Sequence, residues 1–352
     1  MFAIVASALM TIAAQTVSPE VISAPIRTIP VPPRPFDKAK WDKQMRAANA
    51  CRRAYVGQDY LPQPAIWKIT DADTTIHLFG TSHNLPMGFE WRTAQIDQIV
   101  ADARLLITES GLPTNATEFE AQLKSYAPVG IDGRHVPVAD RLTGEQRAKW
   151  IGMAAMLPED MVAKLAQAPS WMVSLGISVL VGRGKTPLFV KGVDHQLESD
   201  FKKAKKPVAA IEDSKTVLAS MAHIPEASQR AMLGHALDRV GQPVSLAQRM
   251  ALHHAWAKGE PLVLSQVWAT PDPAFTDEVR ERLLNIRNAA WVGKVKQRLT
   301  EPGAILIAVG AGHLWGDGSL IDLLARQGIK AERVSPTSTA KARTKFTPTP
   351  TA

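Results

Sequence analysis

Residues 304–334 read AILIAVGAGHLWGDGSLIDLLARQGIKAERV, and this stretch decides the fold. The apolar run Ala304–Val309 is typical of a buried strand, and residues 317–327 have helical spacing that closes at Gly328. Ala331–Val334 is again strand-like. A strand, a helix and a second strand in this order predict a βαβ unit with parallel strands and a right-handed crossover.

The same alternation extends towards the N-terminus, with a long helical stretch in the middle of the chain. The strand-like runs are 74–79, 105–108, 188–193 and 208–211, and the helical patterns cover 91–103, 116–126, 143–166, 195–205, 214–258 and 275–299. The pattern over 214–258 breaks at Pro225 and near residues 241–243. We therefore expect an α/β fold, built of βαβ units around a mainly parallel sheet, with a large helical insertion.

Potential site residues follow the predicted strands. In open parallel sheets, ligands bind outside the carboxyl ends of the strands, so residues far apart in sequence meet at one edge. Two of the strands end in Gly-x-x-His turns, and the other three end in carboxylates. The turns are Gly80–His83 and Gly310–His313, and the carboxylates are Glu109, Asp194 (followed by His195) and Glu212.

The two Gly-x-x-His turns suggest a metal site. A glycine after a strand lets the backbone turn sharply or approach a ligand closely, and a histidine three residues later can point back over the strand end. Imidazole and carboxylate ligands suit a divalent transition metal, which activates water for hydrolysis at neutral pH. Glu109 could be a ligand or a general base. The alternative is that the glycines serve only the turns and that the histidines bind backbone carbonyls.

From about Trp67 to Val334 the sequence resembles the TraB/PrgY/GumN family. The matching motifs are IHLFGTSHNLP (76–86), LLITES (105–110), IED (211–213), IRNAAW (286–291) and AVGAGHLWGDGSLIDLLARQG (308–328). This family has the animal Tiki metalloproteases as relatives and is similar to the erythromycin-esterase and ChaN-like folds. The resemblance implies a metallohydrolase of peptidase type that favours Mn or Co, with Zn as an alternative.

The resemblance also assigns residues. It implies His83, His313 and Glu109 as metal ligands, and Arg287 beside Asn288 as a further site residue. Arg287 could bind a substrate carboxylate or an oxyanion, or could form only an ion pair at a helix surface. One departure is Val217-Leu218, which stands where many bacterial members carry a glutamine.

Five further residues, Asn288 among them, are assigned to substrate binding or to the support of the ligands. Gly80 and Gly310 open the two histidine turns. Asp194 could orient a histidine ligand or could cap the helix that follows it, and Glu212 could lie near the site or cap the next turn.

Other catalytic motifs do not occur. The sequence has no H-E-x-x-H, no G-x-S-x-G, no Walker loop and no dinucleotide G-x-G-x-x-G. His253 and His254 are adjacent on a predicted helix and face different directions, so we do not expect both to bind one ion. Cys51 is the only cysteine, which excludes an intrachain disulfide and a cysteine-rich metal site.

Both ends of the chain differ from the middle. Residues 1–14 resemble a signal peptide, which predicts export to the periplasm or cell envelope, and 15–54 form a proline-rich basic linker. Residues 336–352 are polar and basic, and we expect them to be disordered. The folded domain is therefore predicted to cover residues 55–335, with no membrane span after signal removal.

The chain has 41 Lys and Arg against 33 Asp and Glu, a net charge of +8, part of it in the two ends. No nucleic-acid motif accompanies this charge, so we expect no nucleic-acid partner. The leading hypothesis is a metal-dependent peptidase acting on a peptide or an envelope polymer. The alternatives are a non-catalytic envelope factor that binds peptide or acidic polysaccharide, as an accessory of polysaccharide biosynthesis, and a small-molecule esterase.

Overall fold

The structure is a computed structural model that describes residues 56–110, 116–130, 133–183, 189–242, 245–260 and 276–335. The strands within these ranges are β1 (Ile66–Thr70), β2 (Thr74–Thr81), β3 (Asn84–Pro86), β4 (Leu105–Ser110), β5 (Phe189–Lys191), β6 (Val208–Glu212), β7 (Gly303–Gly310) and β8 (Glu332–Arg333). Six of them form one sheet in the order β6-β4-β7-β2-β1-β8, and β3 pairs with β5 in a second, two-stranded sheet.

The large sheet is mainly parallel, as predicted. The pairs β4–β6, β4–β7 and β2–β7 are parallel, whereas β1 pairs antiparallel with both β2 and β8. Strand β1 therefore runs against the other five, which all point their carboxyl ends to the same edge. The predicted α/β fold class is confirmed, and this shared edge is what places the site.

The central strands are apolar on both faces, which is typical of parallel strands covered by helices on either side. Ile76 and Leu78 of β2, Leu106 of β4, and Ile305 and Ile307 of β7 are all fully buried. They belong to one apolar cluster around the sheet. The buried sheet gives the polar residues at its edge a rigid base.

The helices lie between the strands in the order of the chain. They are α1 (Ala94–Asp102), α2 (Ala116–Ser125), α3 (Val138–Arg141), α4 (Gly144–Ala154), α5 (Glu159–Ala166), α6 (Ser170–Arg183), α7 (Val193–Lys203), α8 (Ser214–Ala222), α9 (Glu226–Asp238), α10 (Leu246–Ala257), α11 (Asp277–Arg280), α12 (Ile286–Arg298) and α13 (Leu320–Arg326). A π-helical turn, Glu281–Asn285, joins α11 to α12, and a 3₁₀ turn, Ala311–His313, follows β7.

The predicted helical insertion corresponds to helices α2–α6, which lie between β4 and β5. Residues of these helices form a second apolar cluster together with residues of α8 and α9. The single helical pattern expected over 143–166 is two helices, because Pro158 begins the second one at its N-cap. A proline inside a helix would remove a backbone hydrogen bond, so the chain breaks there.

Two strand predictions need correction. The run at 188–193 does contain a strand, but β5 pairs antiparallel with β3 and does not join the parallel sheet. Strand β1 was missed, because its five residues, IWKIT, mix polar and apolar side chains at a half-exposed position. The residue that indicates this strand in the sequence is Asp71, in the turn that follows it. Its side chain accepts hydrogen bonds from the backbone N–H groups of Asp73 and Thr74, as in a β-hairpin.

The predicted signal peptide, the linker up to residue 54 and the tail 336–352 lie outside the described residues. Among the helices that the structure describes, none combines the length and the apolar character that crossing a membrane requires.

Candidate functional site

The carboxyl edge of the sheet brings the predicted site residues together. Glu109 and Glu212 lie near the ends of the paired strands β4 and β6. His83 follows β2, and His313 ends the 3₁₀ turn after β7. Glu109, Glu212 and His313 are buried.

The Glu109 carboxylate lies at the centre of this group. Its Oε1 accepts a hydrogen bond from Arg287 Nη2 (2.5 Å) and lies 3.6 Å from Nε2 of His313. Its Oε2 accepts from the backbone N–H of Gly310 (2.9 Å) and lies 3.6 Å from Nε2 of His83. Burial opposes ionisation, but the positive charges around the carboxylate, Arg287 among them, hold the pKa of Glu109 well below its usual value. Each oxygen thus faces one imidazole.

His313 is fixed through its other ring nitrogen. Its Nδ1 lies 2.7 Å from Oδ1 of Asn288, whose Nδ2 donates to the Gly318 carbonyl (2.9 Å). The amide is therefore oriented as an acceptor, so Nδ1 of His313 carries the proton. Burial lowers the pKa of His313 to about 4. At neutral pH the ring is uncharged, and its Nε2 presents a lone pair to Glu109.

His83 is held in a similar way by a carboxylate. Its Nδ1 lies 3.3 Å from Oδ1 of Asp194. Burial would raise the pKa of Asp194, but the contact with His83 lowers it. The alternative role of Asp194 as a helix cap is wrong, because α7 begins at Val193 with Gly192 as its N-cap.

Glu212 and Arg287 form the buried ion pair beneath the site. Nε of Arg287 donates to both oxygens of Glu212 (2.9 and 3.1 Å), Nη2 also donates to Glu212, and Nη1 donates to the Leu283 carbonyl (2.7 Å). Arg287 is 4% exposed, so the alternative of an ion pair at a helix surface is wrong. Glu212 does not cap the next turn, since Asp213 caps α8.

Among the side chains that the structure describes here, carboxylates outnumber cations. Arg287 pairs with Glu109 and Glu212, whereas the carboxylate of Asp194 faces His83. Without counting the two imidazoles, the three carboxylates and the guanidinium carry a formal net charge of −2. Buried negative charge is costly unless a cation compensates it.

His83, His313 and Glu109 have the donor atoms that could hold such a cation. Two ligands of one tetrahedral metal ion lie about 3.4 Å apart, which is close to the 3.6 Å between each imidazole Nε2 and the carboxylate. Asp194 and Asn288 support the histidines as second partners often do at metal sites. Yet nowhere in the described ranges do three His, Cys, Asp or Glu side chains form a ready ligand group. The donor chemistry of His83, His313 and Glu109 fits a divalent ion.

Trp291 and Gly192 were not predicted as site residues. Nε1 of Trp291 donates to Glu212 (3.0 Å), and its indole packs on His313 with ring centroids 4.3 Å apart. The sequence did indicate Trp291, because it stands four residues after Arg287 and therefore on the same face of the helix. A Cβ on Gly192 would lie 2.2 Å from the His83 carbonyl carbon, so only glycine allows this close approach.

Two other predictions concern residues outside the proposed ligand set. Val217 and Leu218, at the position of the missing glutamine, are both buried in the helical cluster. His254 Nδ1 lies 2.7 Å from the hydroxyl of Tyr60, and His253 Nδ1 lies 3.4 Å from Ser82 Oγ. The two histidines thus face different partners, as their adjacent positions predicted.

The buried histidines predict a loss of stability in mild acid. Burial lowers the pKa of His253 and of His313 to about 4, from 6.5. Between these values only the unfolded chain binds the protons, so the stabilisation is complete above pH 6.5 and is lost as the pH falls towards 4. In EDTA, urea titrations should show the free energy of unfolding falling with pH, and these two histidines together should contribute up to about 2.7 kcal/mol per pH unit. His313→Gln should remove about half of that contribution, whereas the exposed control His223→Gln should leave the slope unchanged.

The close contacts around Gly310 lead to a second prediction, which concerns metal binding. A Cβ at this position would lie 2.8 Å from Nε2 of His83 and 3.0 Å from Oε2 of Glu109. Gly310→Ala should therefore push the two side chains apart and abolish binding of Mn²⁺, measured by calorimetry, while circular dichroism shows an intact fold. Gly293→Ala is the matched control, because nothing lies within 4 Å of its Cβ. Unchanged Mn²⁺ binding in Gly310→Ala would contradict the proposed ligand set.

Comparison with known proteins agrees with the resemblance in the sequence. The chain is 22% identical to "Uncharacterized protein YbaP" of Escherichia coli (strain K12) over 264 residues, which cover 74% of this chain and 92% of that protein. It is 27% identical to "Uncharacterized protein YbaP" of Shigella flexneri over 156 residues, 44% of this chain and 56% of that protein. No solved structure shows significant similarity. The model of the TraB/PrgY/gumN family matches residues 65–333, so the chain belongs to this family.

Proposed function

We propose that the protein is a metal-dependent hydrolase and that His83, His313 and Glu109 hold its divalent ion. The observation that carries this proposal is the arrangement around Glu109. The Nε2 atoms of both histidines face one carboxylate, and the Nδ1 atoms are engaged by Asp194 and Asn288. Because neutral His313 presents a lone pair to a carboxylate oxygen, a cation between them would turn repulsion into attraction.

The net charge of −2 also supports a divalent ion. When bound, such an ion lowers the pKa of water and polarises a carbonyl group, which suits hydrolysis at neutral pH. Mn or Co is the proposed metal and Zn the alternative, since imidazole and carboxylate ligands suit all three.

Glu109 is better suited to be a ligand than a general base. A general base works best with a pKa near the working pH, and the pKa of Glu109 is held far below it. Arg287 holds this carboxylate in place and shares its charge with Glu212. The guanidinium donates to three acceptors already, so we assign it to positioning Glu109 and not to binding substrate.

The proposed substrate is a peptide or a related acyl compound outside the cytoplasm. The class of substrate rests on the family's resemblance to the Tiki metalloproteases. The location rests on the apolar residues 1–14. Both belong to the proposal and are tested with it.

The test is the metal content and the activity of the purified chain. Wild-type protein, loaded with Mn²⁺ and desalted, should retain about one ion per chain and cleave members of a mixed peptide library. His83→Ala and His313→Ala should each retain no Mn²⁺ and cleave nothing. His223→Ala, which removes an exposed histidine outside the site, should behave as wild type.

The outcomes separate the candidate functions. Wild-type protein that retains no Mn, Co or Zn, with His83→Ala unchanged, would contradict the hydrolase proposal. Metal retention without turnover, together with salt-sensitive binding to an anionic polymer, would instead favour the non-catalytic envelope factor.

A further inference from the structure

Thr81 has a buried hydroxyl without a partner. The residue is 2% exposed, and its Oγ1 has no hydrogen-bond partner. Among the described residues, four other buried side-chain atoms share this property, and all of them are ring nitrogens of histidine or tryptophan. Buried polar groups in native proteins are almost always hydrogen-bonded, so an orphaned hydroxyl calls for an explanation.

Three other hydroxyl groups, in β2, in β4 and in the turn after β2, do have hydrogen-bond partners. Ser82 Oγ donates to the Asn84 carbonyl (2.9 Å), and Thr108 Oγ1, in the next parallel strand but one, donates to the Ala209 carbonyl (3.3 Å). Thr74 Oγ1, at the other end of β2, donates to the Glu301 carbonyl (3.1 Å). The edge of the sheet therefore satisfies its hydroxyls, and Thr81 is the exception.

The register of the sheet places Thr81 beside the proposed site. Thr81 pairs with Gly310 across the parallel strands β2 and β7. Side chains alternate along a strand, and paired residues of neighbouring strands project from the same face. A Cβ atom on Gly310 would lie 2.8 Å from Nε2 of His83 and 3.0 Å from Oε2 of Glu109. Thr81 therefore lies on the side of the sheet from which these two groups are reached.

The polar groups already at the site are not hydrogen-bond partners of the Thr81 hydroxyl. Both Glu109 oxygens accept hydrogen bonds, one from Arg287 and one from the Gly310 N–H. Nδ1 of His83 is engaged by Asp194. A hydroxyl can donate one hydrogen bond and accept others, and it suits a carbonyl oxygen well.

We propose that Thr81 is a substrate-binding residue, whose hydroxyl donates a hydrogen bond to the acyl oxygen of a ligand bound beside His83 and Glu109. This inference rests on the proposed function and deepens it, because it names the atom of the substrate that the hydroxyl recognises. The unsatisfied donor is then a feature of the free protein, and the ligand satisfies it.

The test uses acetohydroxamate, a small acyl compound that binds divalent metals through oxygen. Thermal unfolding of the full chain is followed in EDTA, with Mn²⁺, and with Mn²⁺ plus increasing acetohydroxamate. Thr81→Val keeps the shape of the side chain and removes the hydroxyl, so its Tm in EDTA should equal or exceed that of wild type. It should keep the Mn²⁺-induced shift, whereas its affinity for acetohydroxamate should fall by about tenfold.

Two further variants make the result specific. Thr81→Ser should restore the affinity for acetohydroxamate, since it restores the donor. Thr108→Val removes a buried strand hydroxyl that has a partner, so it should lower the Tm in EDTA and leave acetohydroxamate binding unchanged. A loss in Thr81→Val that Thr81→Ser does not restore would indicate a packing effect and overturn the proposal.

The test distinguishes a failure of the proposed function from a failure of the proposed role of Thr81. If Mn²⁺ does not shift the Tm of wild type, the proposed function fails and the role of Thr81 fails with it. If Mn²⁺ shifts the Tm but wild type and Thr81→Val respond equally to acetohydroxamate, or neither responds, only the role of Thr81 is overturned.

Discussion

Arg287→Met is expected to lower the free energy of unfolding in EDTA by about 3–5 kcal/mol, the usual cost of removing one partner from a buried ion pair. The guanidinium is the only cation that the structure places between the carboxylates of Glu109 and Glu212 among the side chains it describes there. Without it, the buried carboxylates of Glu109 and Glu212 lose the guanidinium that pairs with both of them. Urea titration at pH 7.5 measures the change.

The matched control for this variant is Arg298→Met on the same helix. Arg298 pairs with Glu301 at the surface, where both side chains are partly exposed. A surface ion pair contributes about 0–1 kcal/mol, so this change should cost little. Equal losses in the two variants would contradict the view that Arg287 neutralises buried charge.

Mn²⁺ should partly rescue Arg287→Met. Loss of the guanidinium changes the net charge of the group from −2 to −3, which strengthens the attraction for a divalent cation. The Mn²⁺-induced rise in Tm should therefore exceed that of wild type. A smaller rise would show that Arg287 supports ion binding by positioning Glu109 more than it opposes binding by its charge.

Glu109→Gln is expected to weaken Mn²⁺ binding by more than about 100-fold, because changes to the partners of metal ligands alone cost about 10–100-fold. The substitution removes the only negative charge among the three proposed ligands while keeping an oxygen for the Gly310 N–H. Arg287 keeps its contacts with Glu212, so the loss of stability in EDTA should be smaller than in Arg287→Met. Calorimetric titration with Mn²⁺ and urea titration in EDTA measure the two effects.

Glu212→Gln separates the roles of the two carboxylates. Glu212 binds Arg287 and Trp291. Among the contacts of the described residues, the imidazoles of His83 and His313 face Glu109 and not Glu212. This variant should lose stability and still bind Mn²⁺ within about tenfold of wild type. If Glu212→Gln loses Mn²⁺ as completely as Glu109→Gln, the ligand assignment is wrong.

The fold was predictable because its central strands carry a local signal. Runs such as Ala304–Val309 are apolar on both faces, and helical patterns separate them, so the βαβ order can be read directly. The edge elements carry a weaker signal. Strand β1 is half-exposed and mixed in composition, and β5 is only three residues long, so its partner depends on where β3 lies.

The candidate site was partly predictable for a similar reason. A residue just after a parallel strand must lie at the carboxyl edge of the sheet, so His83, Glu109, Glu212 and His313 could be grouped from sequence. The sequence cannot say which of them touch. The resemblance to the family named Arg287, but its local pattern fitted a helix surface equally well.

By itself the sequence determined the class of fold, the edge at which polar residues gather and the family to which the chain belongs. Only the tertiary structure decided that Arg287 lies buried between two carboxylates, that Trp291 packs on His313, and that Thr81 keeps an unpartnered hydroxyl. The physical reason is distance. Strand and helix patterns depend on residues a few positions apart, whereas decisive contacts of the site join distant residues. Arg287 and Glu212 are 75 positions apart, and Gly310 and Glu109 are 201 positions apart.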